Sequence, residues 1–163
     1  MIGAPGASPS QARDPVSASV SGTLLGFDFG ERRIGVAVGE TSTRIASPLT
    51  TIAGVANAGK FDAIERLVRE WQPCAFVVGR PQHADGSRHA VALRAVKFAR
   101  RIAGRHGIPV FMVDETLTSS AAEATLRETR TRSSRSGDVD ALAAALILQS
   151  YLDDPVVHER LAS

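Results

Sequence analysis

The sequence predicts an α/β fold, a mixed five-stranded sheet flanked by helices. Three observations carry this. Short apolar runs bounded by turn residues, Leu24 to Phe29, Ala75 to Gly79 and Pro109 to Val113, read as buried strands. The last two are separated by a segment of helical periodicity, and strands that alternate with helices pair in parallel through crossover units. The first is followed instead by two further strand-like runs after short turns, which predicts an antiparallel meander.

Taken in order, the meander runs from the strand ending at Phe29 through Arg33 to Gly39 and then Arg44 to Thr51, with turns made by Gly30 and by Thr41-Ser42-Thr43. Phe61, Ile64, Leu67, Val68 and Trp71 then recur at helical spacing, with Asp62, Glu65, Arg66, Arg69 and Glu70 on the other side, and Pro73 stops that helix. After the strand at Ala75 comes a long helix from Ser87 to Arg105, then the strand at Pro109. A terminal helix begins near Asp138. Val139, Leu142, Ala143, Leu146 and Ile147 are its expected packing face, with alanines that permit close approach to the sheet. The order is βββαβαβ followed by helices.

At 163 residues, 44% hydrophobic and 22% charged, the composition is that of one globular domain with one core. The expected division is a disordered tail over residues 1–22, rich in Ala, Ser, Pro and Gly, a folded domain over 23–154, and a C-terminal tail over 155–163. No segment approaches the ~18 apolar residues that a membrane span requires, and residues 1–22 contain no continuous apolar run or basic leader, so the chain is expected to be neither secreted nor integral. Cys74 is the only cysteine, which rules out an intramolecular disulfide and thiolate zinc spacing. A cytoplasmic location fits. The net charge of +2 decides nothing about partners unless the arginines are segregated.

The chemistry centres on carboxylates in unusual places. Asp28 sits in an apolar strand, where a carboxylate that has lost water needs a cation, a metal or hydrogen-bond donors. Capping of the Gly30 turn is the bland alternative. Asp114 and Glu115 follow the last buried strand, at the edge where open α/β sheets bind ligands. Asp138 and Asp140 open the terminal helix. Two residues apart, they cannot share one helical face, so Asp140 is read as a ligand and Asp138 as a cap. Carboxylates from two strands and a helix start, with no histidine pair at metal spacing, make a hard-oxygen site for Mg²⁺ or Mn²⁺. Such a site suits phosphoryl transfer, in which two ions roughly 4 Å apart activate water and stabilise the leaving oxygen.

Basic residues supply candidates for phosphate contact. Arg94, Lys97, Arg101 and Arg105 share one helical face, for which a solvated surface is the simpler reading. Arg127, Arg130, Arg132 and Arg135 lie among Thr and Ser just before Asp140, and a basic loop there can close over a phosphate backbone. The segment from Gly79 and Arg80 to Ser87 opens a helix and offers backbone N–H groups to a phosphate, although it lacks the Gly-Lys-Ser/Thr ending of a nucleotide-hydrolysing loop. With 5% aromatic residues, phosphate and shape recognition is favoured over base stacking.

Phe-Asp-Phe-Gly at 27–30, Ile-Gly-Val-Ala-Val-Gly at 34–39, Val-Val-Gly-Arg-Pro at 77–81, Asp-Glu-Thr-Leu-Thr-Ser at 114–119 and Val-Asp-Ala-Leu-Ala-Ala-Ala at 139–145 together resemble the YqgF family. The resemblance covers about Thr23 to Asp154. It implies a ribonuclease H-like fold related to Holliday junction resolvases, a nuclease maturing the 5′ end of pre-16S rRNA, and a Mg²⁺ or Mn²⁺ site made by Asp28, Glu115 and Asp140. Two positions depart from the family's pattern. Thr116 stands where an arginine is common, and Asp138 where a basic residue is common. Both changes remove positive charge beside the ligands, which Arg80 or Arg32 would have to replace.

Three rival functions follow from the same residues. An actin-like or sugar-kinase ATPase also opens on a strand bearing Asp-x-Gly, but needs two lobes where this chain has room for one. A non-catalytic RNA-binding assembly factor would explain Thr116, and a junction-DNA endonuclease would use the same carboxylates. The reading adopted is a nuclease acting on structured RNA such as pre-16S rRNA, as a monomer or homodimer, with Arg80, Arg130, Arg132 and Arg135 as nucleic-acid contacts.

Overall fold

The computed structural model describes residues 20–53, 56–80, 86–114, 136–155 and 159–161. Its elements are β1 (Thr23–Phe29), β2 (Arg33–Glu40), β3 (Ile45–Ala53), α1 (Asn57–Trp71), β4 (Ala75–Arg80), α2 (Gly86–His106), β5 (Val110–Asp114), α3 (Ser136–Asp153) and β6 (Glu159–Leu161). The sheet order is β3-β2-β1-β4-β5-β6. β1, β2 and β3 form the expected antiparallel meander, while β1, β4 and β5 run parallel. The five expected strands are therefore all present in a mixed sheet. β6 adds a sixth from within the segment expected to be a C-terminal tail, pairing antiparallel with the open edge of β5. Three residues are too few for alternation to be read from sequence.

Strand alternation splits the interior into two layers. One face of the sheet carries Leu25, Phe27, Ile34, Val36, Phe76 and Val78, covered by Phe61 and Ile64 of α1 and by Phe98, Ala99 and Ile102 of α2. Phe27 meets Phe76 and Phe98 edge-to-face, each with ring centroids 5.7 Å apart. This is the favoured aromatic geometry, and truncating Phe98 at its centre should cost about 3–5 kcal/mol.

The other face carries Leu24, Ala37, Ala75, Val77, Phe111 and Val113 and is covered by α3. Here the expected helix face is corrected. Ala141, Ala144, Ala145, Ile147, Leu148, Tyr151 and Leu152 are buried, whereas Val139, Leu142, Ala143 and Leu146 are only partly so. The cause is steric. A Cβ at Gly26 would lie 2.8 Å from Leu148 Cβ, and one at Gly39 would lie 3.0 Å from Leu148 Cδ2. The sheet thus accepts a helix pressed against its backbone on the side of Ala144 and Leu148.

Punctuation follows local rules. α1 ends at Gln72, whose left-handed conformation (φ 47°) lets its N–H reach Val68 O, and the buried Pro73 prevents continuation. Pro48 and the register shift opposite Val36 and Ala37 interrupt the exposed edge strand β3, which protects it from pairing with other chains. At the chain's start, Val20 packs against the α3-side core, and Gly22 N–H donates to Thr41 Oγ1 at 2.8 Å. The rest of the expected N-terminal tail, residues 1–19, lies outside the described residues.

Candidate active site

Asp28 is the next-to-last residue of β1 and shares a sheet face with Leu24 and Gly26, the face covered by α3. Directly opposite on β2 is Gly35. Cα atoms paired this way are about 4.5–5.5 Å apart. A Cβ at Gly35 would lie only 1.9 Å from the backbone oxygen of Asp140 and 2.3 Å from its carbonyl carbon. α3 therefore begins in backbone contact with β2 beside Asp28, and the two aspartates from distant parts of the chain converge at the C-terminal end of β1. This glycine in the Ile-Gly-Val-Ala motif is what allows the convergence.

Asp140 lies early in α3, where the positive end of the helix dipole favours a carboxylate. Arg33, the first residue of β2, donates from Nε to Asp140 Oδ2 at 2.7 Å. The side chains are 46% and 21% exposed, so the contact is open enough to remain reachable by substrate. Sequence reasoning missed this role by one residue, since it weighed Arg32 and Arg80 as sources of positive charge. The signal was present. Arg33 begins a strand whose pairing partner already held one candidate ligand at the same end.

Arg80 ends β4 in register with Asp114 of β5. By alternation from Phe76 and Val78 it belongs to the face covered by α1 and α2, opposite the face of Asp28. Glu115, Thr116, Arg130, Arg132 and Arg135 lie outside the described residues, as does the side chain of Asp138. Among the described residues no group of three or more His, Cys, Asp or Glu side chains could hold a metal. What is present is an oxygen pair, Asp28 and Asp140, with an arginine on one member. That donor set fits a hard divalent cation and no soft one. Cys74 is no rival nucleophile, because burial pushes its thiol up from the usual value.

A three-stranded antiparallel meander feeding two parallel strands, with helices on both faces, is a ribonuclease H-like α/β fold. The fold agrees with solved structures of Thermus thermophilus RuvC. In complex with a Holliday junction substrate, that protein superposes with a TM-score of 0.58 at 18% identity, over 86% of this chain and 99% of that one. RuvC in a second structure gives 0.51, also at 18% identity, over 85% and 99%.

The chain belongs to the RuvX Holliday junction resolvase family, whose model matches residues 22–154. It is similar to proteins named "Putative pre-16S rRNA nuclease". That of Dechloromonas aromatica (strain RCB) is 54% identical over 136 residues, covering 82% of this chain and 92% of that protein. That of Neisseria gonorrhoeae (strain ATCC 700825 / FA 1090) is 47% identical over 133 residues, covering 81% and 88%. The chain is accordingly a nuclease, a hydrolase of phosphodiester bonds. Among the described residues no helix is long and apolar enough to cross a membrane.

Proposed function

We propose that the protein is a divalent-metal-dependent nuclease of the cytoplasm that processes the 5′ end of pre-16S rRNA. The observation that carries this is the convergence of Asp28 and Asp140 across Gly35. The names of the relatives supply the substrate.

Asp28, Asp140 and Glu115 would hold Mg²⁺ or Mn²⁺, Glu115 being one peptide step beyond Asp114 at the C-terminal end of β5. When bound, the ion supplies Lewis-acid stabilisation of the phosphoryl oxygens and a lowered pKa for a water nucleophile. The chain's own residues do the rest. The β1–β2 ladder fixes the backbone of Asp28, so its side chain leaves the sheet from a set position on the face covered by α3. Arg33 orients the Asp140 carboxylate and places a permanent cation beside the scissile phosphate, the role left vacant by Thr116. Arg80, Arg130, Arg132 and Arg135 are assigned to the phosphate backbone of the substrate. The working unit is the folded domain, β6 included, acting as a monomer or homodimer.

The test is cleavage of a 5′-extended small-subunit rRNA precursor and of a four-way DNA junction, with Mg²⁺, Mn²⁺ or EDTA, by wild type and Asp28→Asn. RNA cutting that needs metal and is lost in the variant is the expected result. Cutting of the junction alone would move the substrate to DNA. Binding of RNA without cutting of either substrate would make the protein an assembly factor.

A further inference from the structure

On the sheet face opposite Asp28 and α3, a groove of about 300 Å³ opens between α1 and α2. Its floor includes Phe29, Phe61 and Phe98, and its rim carries Lys60 from α1 and Arg94, Lys97 and Arg101 from α2. Four cations thus face one another across a space where, among the described residues, only one carboxylate, Glu31, lines the wall.

The contacts within this rim argue against a merely solvated basic stripe. Arg101 and Arg105 lie over the Phe61 ring, their guanidinium carbons 5.5 and 4.5 Å from its centroid, which holds two long side chains in place before any ligand arrives. Glu31, on the turn between β1 and β2, spans the groove. Its backbone oxygen accepts from Lys60 Nζ at 2.8 Å, and its carboxylate pairs with the Arg94 guanidinium. The Arg94 guanidinium of α2 thus already holds an anionic oxygen in the groove, while Lys60 of α1 holds only the neutral carbonyl of the same residue.

We infer that this groove is a phosphate-binding subsite for a single-stranded flank of the nucleic-acid substrate, with Glu31 as the internal anion that the substrate phosphate displaces. The inference rests on the nuclease reading. Phe29 lines the groove and its chain neighbour Asp28 serves the opposite face, so the two sites meet around the β1–β2 turn at the sheet's C-terminal edge. A strand passing from one to the other must bend around that edge. A single strand can do so and a stiff duplex cannot. The phenylalanines are engaged with one another and with Arg101 and Arg105, which assigns recognition to the phosphate and leaves base stacking a minor part.

The test is equilibrium binding of a fluorescein-labelled short single-stranded RNA of mixed sequence in EDTA, at stepped salt, by the full chain. Inorganic phosphate, adenosine monophosphate and a blunt RNA duplex serve as separate probes. Lys60→Ala/Lys97→Ala should weaken single-strand binding about tenfold and lower the log–log salt slope by about 1.4, two contacts at about 0.7 each. Glu31→Gln should tighten it by up to about fivefold, the strength of an exposed ion pair. Thermal melts confirm that both variants fold. Wild-type binding left unchanged by both variants would overturn the subsite while leaving the nuclease reading intact, as would binding of the duplex alone. Adenosine monophosphate binding as tightly as the strand would make the groove a free-nucleotide site and overturn its role as a strand subsite. Failure of wild type to bind any nucleic acid would overturn the substrate reading itself.

Discussion

Arg33 Nε lies 2.7 Å from Asp140 Oδ2, joining the start of the second strand to the start of the last long helix across 107 positions of chain. Both side chains are partly exposed, so solvent screens the pair and its share of stability is below about 1 kcal/mol. Its value lies in orientation. Arg33→Gln should lower cleavage about ten- to hundredfold, as loss of a group that orients a metal ligand does, with little change in melting temperature. Arg33→Lys should recover only part of that loss, because a lysine keeps the charge without the planar Nε–H. Equal turnover in wild type and Arg33→Gln would reduce the contact to a surface tether.

Gly35 carries a sharper expectation. A methyl group there would meet the Asp140 backbone at 1.9 Å, and backbone cannot move aside by changing a rotamer. Gly35→Ala should therefore push the start of α3 off β2, costing about 1–3 kcal/mol in chemical denaturation and at least about a hundredfold in cleavage. Gly104 of α2 is the control, since a Cβ there meets nothing within 4 Å. Gly104→Ala should stabilise by roughly 0.5–1 kcal/mol and leave cleavage unchanged.

These two positions show what the sequence could and could not reveal. Period and turn chemistry sufficed for five strands, for the antiparallel meander and for parallel pairing among the rest, and they singled out Asp28, because an aspartate in an apolar strand is a local anomaly visible without neighbours. The orientation of α3 was not legible in this way. Hydropathy favours Leu142 and Leu146, while Gly26, Gly35 and Gly39 make room for Leu148, Leu152 and the Asp140 backbone, a condition set by a different part of the chain. Arg33 was missed for the same reason, its partner being remote in sequence. The acidic and basic segments from Glu115 to Arg135 lie outside the described residues, and their roles remain sequence-based expectations.

The arginine-rich segment is open to a direct test. If Arg130, Arg132 and Arg135 track phosphates, replacing all three by Ala should weaken RNA binding at low salt and flatten its salt dependence by about 2 in log–log slope. Melting temperature should stay constant. Binding with an unaltered slope would remove these arginines from the interface and leave the groove cations as the main electrostatic footprint.

His106 gives a pH dependence of stability independent of catalysis. As the last residue of α2 it would ordinarily gain from protonation at a helix C-terminus. Burial outweighs this and pulls its pKa below the usual 6.5; Arg105 adds to the shift and Glu65 opposes it. The Phe76 ring lies edge-on at 5.9 Å, and Nε2 is buried without a hydrogen-bond partner among the described residues. The unfolded chain therefore takes up a proton at higher pH than the folded one. The stability tied to neutral His106 is present above pH 6.5 and declines as pH falls through the lower folded value. Melting temperatures followed from about pH 7 to about pH 5 should fall less steeply in His106→Leu than in wild type, the two curves diverging below the unfolded-state pKa. Parallel curves would show that His106 titrates alike in both states and that its burial carries no protonation cost.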